Sequence, residues 1–201
     1  MKNLRIVSLL LAVLLVLGLF AGCGPKDETP DDQKDSDTQT DGTKREDLLI
    51  TMLEDLETFD PLGSSAVNTQ AIHRHMYAKL YLDDPDNPGT PWPSLAKSFE
   101  VIDDTTVEVK INTGWKYSDG SEIVADDVVY SLNRAKDSTR MGALVKAIVS
   151  AEKIDEETIQ INLTGPAPSL QLALTHPGTS ILPQSFVEAQ EAAGNWDGSL
   201  A

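Results

Sequence analysis

The sequence predicts an α/β domain, and three observations carry that prediction. Two segments, residues 99–111 and 148–163, each alternate apolar and polar side chains beside an acidic turn, the pattern of a half-buried β-hairpin. Between them, Val128, Val129, Leu132 and Ala135 recur at three- and four-residue spacing, which puts them on one face of a helix. Two hairpins packed on helices make a small α/β layer.

The chain has 201 residues, enough for one domain or a domain plus a tail. Its net charge of −16 and the absence of a basic run beyond Lys44-Arg45 disfavour nucleic acid as a partner, because phosphate binding draws on clustered cations. The single cysteine, Cys23, excludes an internal disulfide framework and any multi-cysteine zinc site. No nucleophile elbow, Gly-rich phosphate loop or His-Glu-x-x-His motif is present, so no catalytic residue, metal ligand or cofactor is assigned.

In chain order, residues 1–22 read as a signal peptide: Lys2 and Arg5 give a positive start, and an almost unbroken apolar run follows to Phe20. That run is shorter than the roughly 20 residues of a spanning helix. Ala21-Gly22-Cys23-Gly24 reads as a lipobox, with cleavage before Cys23 and lipidation of its thiol. The alternative is an ordinary signal peptide with an incidental cysteine. Two or more acyl chains anchor stably where one does not. Residues 23–47 then form an acidic tether too poor in apolar side chains to offset its ordering entropy. A calcium or partner site there is the less favoured reading.

A folded domain is expected over residues 48–201. Residues 48–52 are a strand candidate, and residues 69–82 a helix with Ile72, Met76 and Leu80 on one stripe. His73 and His75 lie two apart and point to different sides of such a helix, so they share no metal. Residues 83–89 form a turn: the closing position of a calcium loop is Ser94 rather than Glu. In the first hairpin Asp103-Asp104 turns and Val107, Val109 and Ile111 face inward; in the second, residues 155–157 turn and Ile159, Ile161 and Leu163 do so. Asp119-Gly120 is a further turn, leading into the central helix, whose first turn carries Asp126 and Asp127 where negative charge is favoured. Residues 170–175 are a short helix candidate, residues 181–183 a strand end, and residues 183–193 a helix with Phe186, Val187 and Ala189 partly buried. His176, before Pro177, is expected in a loop without an evident partner.

Residues 114–132 also resemble a segment of the peptide/nickel class of extracytoplasmic solute-binding proteins, family 5, written as lysine, an aromatic, a small polar residue, Asp-Gly, then Ala, two acidic residues and Val. Phe59-Asp60-Pro61-Leu62, the Pro93-Ser94-Leu95-Ala96 segment, residues 159–168 and Ile181-Leu182-Pro183 are similar to further family elements and arrive in family order. Departures are Asn112 for Arg or Lys, Tyr117 for Phe or Trp, and Val124 for a capping Thr.

The resemblance implies a periplasmic-binding-protein-like (type II) fold, incomplete, comprising lobe I with its extra hairpin-and-helix subdomain. It implies a lipid-anchored, extracytoplasmic substrate-binding component that hands peptide to the permease and ATPase of an ABC importer. It also implies that Ser65 and Val67, after the Asp-Pro, offer backbone hydrogen bonds to an extended ligand, and that Arg140 approaches ligand from the segment after the central helix. An ordinary surface turn is the alternative at residues 64–67. Nickel or a nickel chelate is the second cargo reading, and a non-transport surface lipoprotein the second functional one. Family members are more than twice this length, so the chain is expected to be an N-terminal portion with little affinity by itself.

Overall fold

The computed structural model describes residues 49–194 and Trp196. The signal segment, Cys23 and the tether lie outside the described residues. Every element below belongs to the unit Ile50–Ala201.

Four antiparallel strands form the main sheet: β3 (Ala96–Asp103), β4 (Thr106–Ile111), β5 (Ile148–Lys153) and β6 (Thr158–Leu163), in spatial order β3-β4-β6-β5. The two expected hairpins are thus one sheet, joined where β4 pairs β6 with Val107 opposite Ile161 and Val109 opposite Ile159. The period of two puts Val107, Val109, Ile111, Ile159, Ile161 and Leu163 on the buried face, as expected. Each turn is closed by an aspartate accepting from the chain two residues on: Asp103 from the Thr105 amide (2.7 Å) and Asp155 from the Glu157 amide (2.8 Å).

Helix α2 (Ala125–Asp137) covers that face. Val128, Leu132 and Ala135 are at most 1% exposed, so the apolar stripe read from the spacing is the core contact. In place of a capping hydroxyl at Val124, the Asp127 carboxylate accepts from the Val124 amide at 3.2 Å. The entry to α2 is the Asp119-Gly120 turn. Gly120 has φ +89°, a conformation disfavoured for residues with a Cβ, and Asp119 accepts from Ser121.

The remaining elements are α1 (Val67–Met76), the hairpin β1 (Tyr81–Asp83) and β2 (Pro91–Pro93), α3 (Leu170–Ala173) and α4 (Gln184–Ala192), with 3-10 turns at Gly142–Val145 and Pro177–Thr179. Several expectations are corrected. Helix α1 stops at Met76 rather than reaching Leu82. The backbone beyond it is bound non-locally: Leu80 O accepts from Ser94 and Ala96, Lys79 O from Leu95, and Ala78 O from Ile181. Its buried face is Thr69, Gln70 and His73, whereas Met76 is 44% exposed. Residues 49–52 form no strand, because no described neighbour takes up their backbone groups; Leu49 and Ile50 are exposed.

Residues 181–183 likewise form no strand. Side chains of α2 replace the ladder: Ser131 Oγ accepts from the Leu182 amide and Asp127 from the Gln184 amide, both at 2.9 Å. Ala189 is exposed, while Val187 is fully buried. His176 does have a partner: its Nδ1 accepts from the Gly178 amide at 3.0 Å and caps the second 3-10 turn.

Candidate functional site

The loop of residues 57–66, which carries Asp60-Pro61, buries Pro61 and packs Leu62 on the core, and is otherwise held by polar contacts. Helix α1 presents Gln70, His73 and, at its C-cap, Tyr77 toward it. Gln70 Nε2 donates to Ser64 O (2.5 Å) and the Tyr77 hydroxyl to Phe59 O (2.6 Å). His73 Nε2 lies 2.9 Å from Thr58 O; a carbonyl oxygen only accepts, so the ring proton sits on Nε2. Ser64 Oγ accepts from the Ala66 amide at 3.0 Å and donates to Glu57. This buried helix face is polar because it must satisfy backbone carbonyls.

The second clamp comes from α2. Arg134 forms a two-pronged ion pair with Asp60, Nη1 to Oδ1 at 2.8 Å and Nη2 to Oδ2 at 2.6 Å. Both side chains are mostly buried. The indole of Trp196 donates to Asp60 Oδ2 at 3.1 Å, and the guanidinium carbon lies 5.4 Å from its ring centre. Asp60 Oδ1 also accepts from the Leu62 amide at 2.9 Å. Burial alone would raise the Asp60 carboxyl, but Arg134, the Leu62 amide and Trp196 together hold it below the usual carboxylate value. Burial and the nearby Asp60 charge push the Tyr77 hydroxyl up to about 12, so it remains a donor at neutral pH.

The clamps leave the end of the loop presented outward. Ser65 and Val67 are exposed, Val67 at 83%, and among the described residues their amides have no acceptor. Arg140 is exposed in the bend after α2, where its amide donates to Ser138 Oγ at 3.3 Å. A groove of about 860 Å³ runs between the two segments and is lined by Leu62, Tyr130, Arg134, Ser138, Thr139 and Glu191. None of Ser65, Val67 and Arg140 lines that groove; of their immediate chain neighbours only Thr139, beside Arg140, does. Asp60, Gln70, His73, Tyr77, Arg134 and Trp196, which build the site, were not singled out for it from sequence. The Asp-Pro alone pointed here, since the Asp60–Arg134 pair bridges 74 positions that no local pattern connects.

The chain as a whole is similar to known proteins. A family profile described as "Bacterial extracellular solute-binding proteins, family 5 Middle" matches residues 90–199, more than half of the chain. The glutathione-binding protein GsiB of Escherichia coli K12 is 30% identical over 146 residues, covering 71% of this chain and 28% of that protein. The periplasmic oligopeptide-binding protein OppA of Salmonella typhimurium is 24% identical over 208 residues, 94% of this chain and 37% of the relative. Among solved structures, MoaA of A. tumefaciens R10 in complex with mannopinic acid has a TM-score of 0.63 and 29% identity, covering 71% of this chain and 30% of that one. DppA of Helicobacter pylori with the peptide STSA has a TM-score of 0.61 at 21% identity, covering 71% of this chain and 32% of that one, and shows the fold alone. The chain therefore spans about 28–37% of these two curated relatives. Its architecture is a part of the type II periplasmic-binding-protein fold, and the chain belongs to the bacterial extracellular solute-binding proteins of family 5.

Proposed function

We infer that this chain supplies the lobe I wall of an extracytoplasmic solute-binding component that delivers short peptides to the permease and ATPase of an ABC importer. The observation that carries this is the clamped loop. Its carbonyls at residues 58, 59 and 64 are consumed internally, while the Ser65 and Val67 amides stand free and exposed. Free backbone donors at a fixed spacing suit an extended peptide, whose carbonyls they bind without reading its side chains. The names of GsiB and OppA, glutathione- and oligopeptide-binding, agree with that cargo class. Arg140, exposed after α2, is assigned a flanking contact to the carboxylate end of the solute.

The same reading makes residues 1–22 a lipoprotein signal, Cys23 the lipidated residue, residues 23–47 the tether and residues 48–201 the lobe I portion. A second cargo reading, a small non-peptide solute, is supported by the 29% identity to the mannopinic-acid-binding MoaA.

Two experiments test this. Because this portion alone is expected to bind weakly, calorimetric titration with glutathione, trialanine and mannopinic acid is made on the protein extended to the length of its relatives, and Val67→Pro, which removes one amide donor, should weaken its peptide binding at least tenfold. Preference for mannopinic acid would replace the peptide reading, and no heat with any of them would remove the solute-binding reading. Cys23→Ala should shift the protein from the detergent phase to the aqueous phase; unchanged partitioning would remove the lipid anchor.

A further inference from the structure

Burial along the inner face of the sheet ends at β3. Val101, Val107, Ile161 and Ala151 stand opposite one another in one row across the four strands. Val107, Ile161 and Ala151 are at most 3% exposed, whereas Val101 is 65% exposed. Phe99, on the same face, is half-buried, its ring edge-on to Tyr81. Between this uncovered end and the segment leading into α3 runs a groove of about 470 Å³, lined by Phe99, Val101, Leu163, Pro166, Pro168 and Gln171. The two prolines have a fixed φ, so that wall is preformed.

The polar side chains of the groove are of one kind. Asp103 and Asp104, at the β3–β4 turn, line its end, and no Lys or Arg does. Asp103 Oδ1 accepts from Thr105, and the Asp104 carboxylate has no hydrogen-bond or ion-pair partner among the described residues. Gln171 Nε2 donates to the Tyr81 hydroxyl at 3.2 Å, which leaves its oxygen as an acceptor. The lysines of the sheet, Lys97, Lys110 and Lys153, sit at its other end, near the pairing of Ala96 with Ile111. The lining side chains thus offer an apolar floor and acceptors. What complements them carries an apolar group, N–H donors and positive charge. A second copy of this chain, with its net charge of −16, and an anionic lipid surface both meet that acidic rim with like charge.

We propose that this groove docks a loop of a partner protein that presents an aliphatic or aromatic side chain next to an arginine or lysine. The apolar side chain lies on Phe99, Val101 and Pro166, the cation reaches Asp104, and a backbone N–H of the loop donates to Gln171. Docking completes the burial of the row that β3 leaves open. The surface lies on elements other than the loop of residues 57–66 and is independent of the solute reading.

The test uses the ¹⁵N-labelled full chain, titrated at constant ionic strength with N-acetyl-leucyl-arginine amide, its glycyl-arginine and leucyl-glutamate counterparts, and isobutylammonium chloride. Saturable shifts of the Val101, Val107 and Gln171 amides are expected with the leucyl-arginine probe, and weaker binding of the other three. Val101→Asn should weaken that binding about tenfold by removing apolar contact. Asp104→Asn should weaken it about threefold, because an exposed ion pair contributes little. The Val109 and Ile161 amides serve as the fold control. Equal binding of isobutylammonium would make the groove a small-amine site, and equal binding of either other peptide would remove the apolar or the cationic contact; each overturns the proposal. So would a lack of saturation, shifts confined to the Ser65 and Val67 amides, or unchanged affinity in the folded variants. Loss of the shifts in the protein extended to the length of its relatives would assign the groove to its own chain instead.

Discussion

The four-stranded sheet and the loop of residues 57–66 are built by opposite means. The sheet is held by a repeating contact: each inward residue of β4 and β6 meets a neighbour of like kind, and α2 seals the face with Val128, Leu132 and Ala135. Losing one member leaves the repeat standing. The loop is held by single contacts that have no substitutes, and its main fastening is one ion pair under one indole. Redundant apolar burial makes a tolerant frame, whereas a few buried polar bonds make a loop with one geometry. In the proposed function, where the loop's backbone donors meet an extended peptide, one geometry is what binding requires.

Breaking the loop's fastening gives the largest expected effect. Arg134→Met leaves the Asp60 carboxylate buried without its partner, at a cost of about 3–5 kcal/mol, read as a drop in the urea midpoint. The pH dependence sharpens this. The folded Asp60 carboxyl sits below its unfolded value, so the stabilisation is complete above the unfolded pKa, about 3.9, and is lost as pH falls through the folded one. Wild-type protein should therefore lose more stability below about pH 4 than Arg134→Met does. An equal acid slope in both would place the acid sensitivity elsewhere.

In the sheet, Ile161→Ala removes a side chain with 0% exposure and is expected to cost about 2–5 kcal/mol, toward the lower end if the neighbouring β4 side chains collapse into the space. The comparison predicts that the loop's amide resonances keep their wild-type positions in Ile161→Ala and move in Arg134→Met. The smallest effect is a gain. Val124→Thr supplies the missing capping hydroxyl at a position with suitable extended backbone, φ −117° and ψ 166°, and should raise the thermal midpoint by the equivalent of about 0.5–1 kcal/mol.

The same contrast explains what was legible in the sequence. Period-two alternation located Val107, Val109, Ile159 and Ile161, and three-four spacing located Val128 and Leu132, because burial by repeat leaves a repeat in the sequence. Gln70, His73 and Arg134 act once each, on backbone carbonyls or on a carboxylate far away in the chain, and leave no period. The helix overreach to Leu82 has a related origin. Ile72, Met76 and Leu80 carry helical spacing, but the amides of Ser94, Leu95 and Ala96 bind the carbonyls at residues 79 and 80 and draw the backbone into β1. Residues 181–183 read as a strand because their apolar run is genuine; nothing local announces that Ser131 and Asp127 take the amides a neighbouring strand would have taken.

One side chain on α2 has a consequence for the sheet's outer boundary. The Asn133 carboxamide donates to Ala151 O at 2.9 Å and accepts from the Ala151 amide at 3.0 Å, filling two of the backbone positions that a fifth strand beside β5 would use. On the opposite margin, β3 is interrupted by two register shifts and turns Lys97, Glu100 and Asp103 to solvent. An incoming polypeptide thus meets a plugged border at one end and a kinked, charged one at the other, which guards against runaway edge-on polymerisation in a crowded envelope.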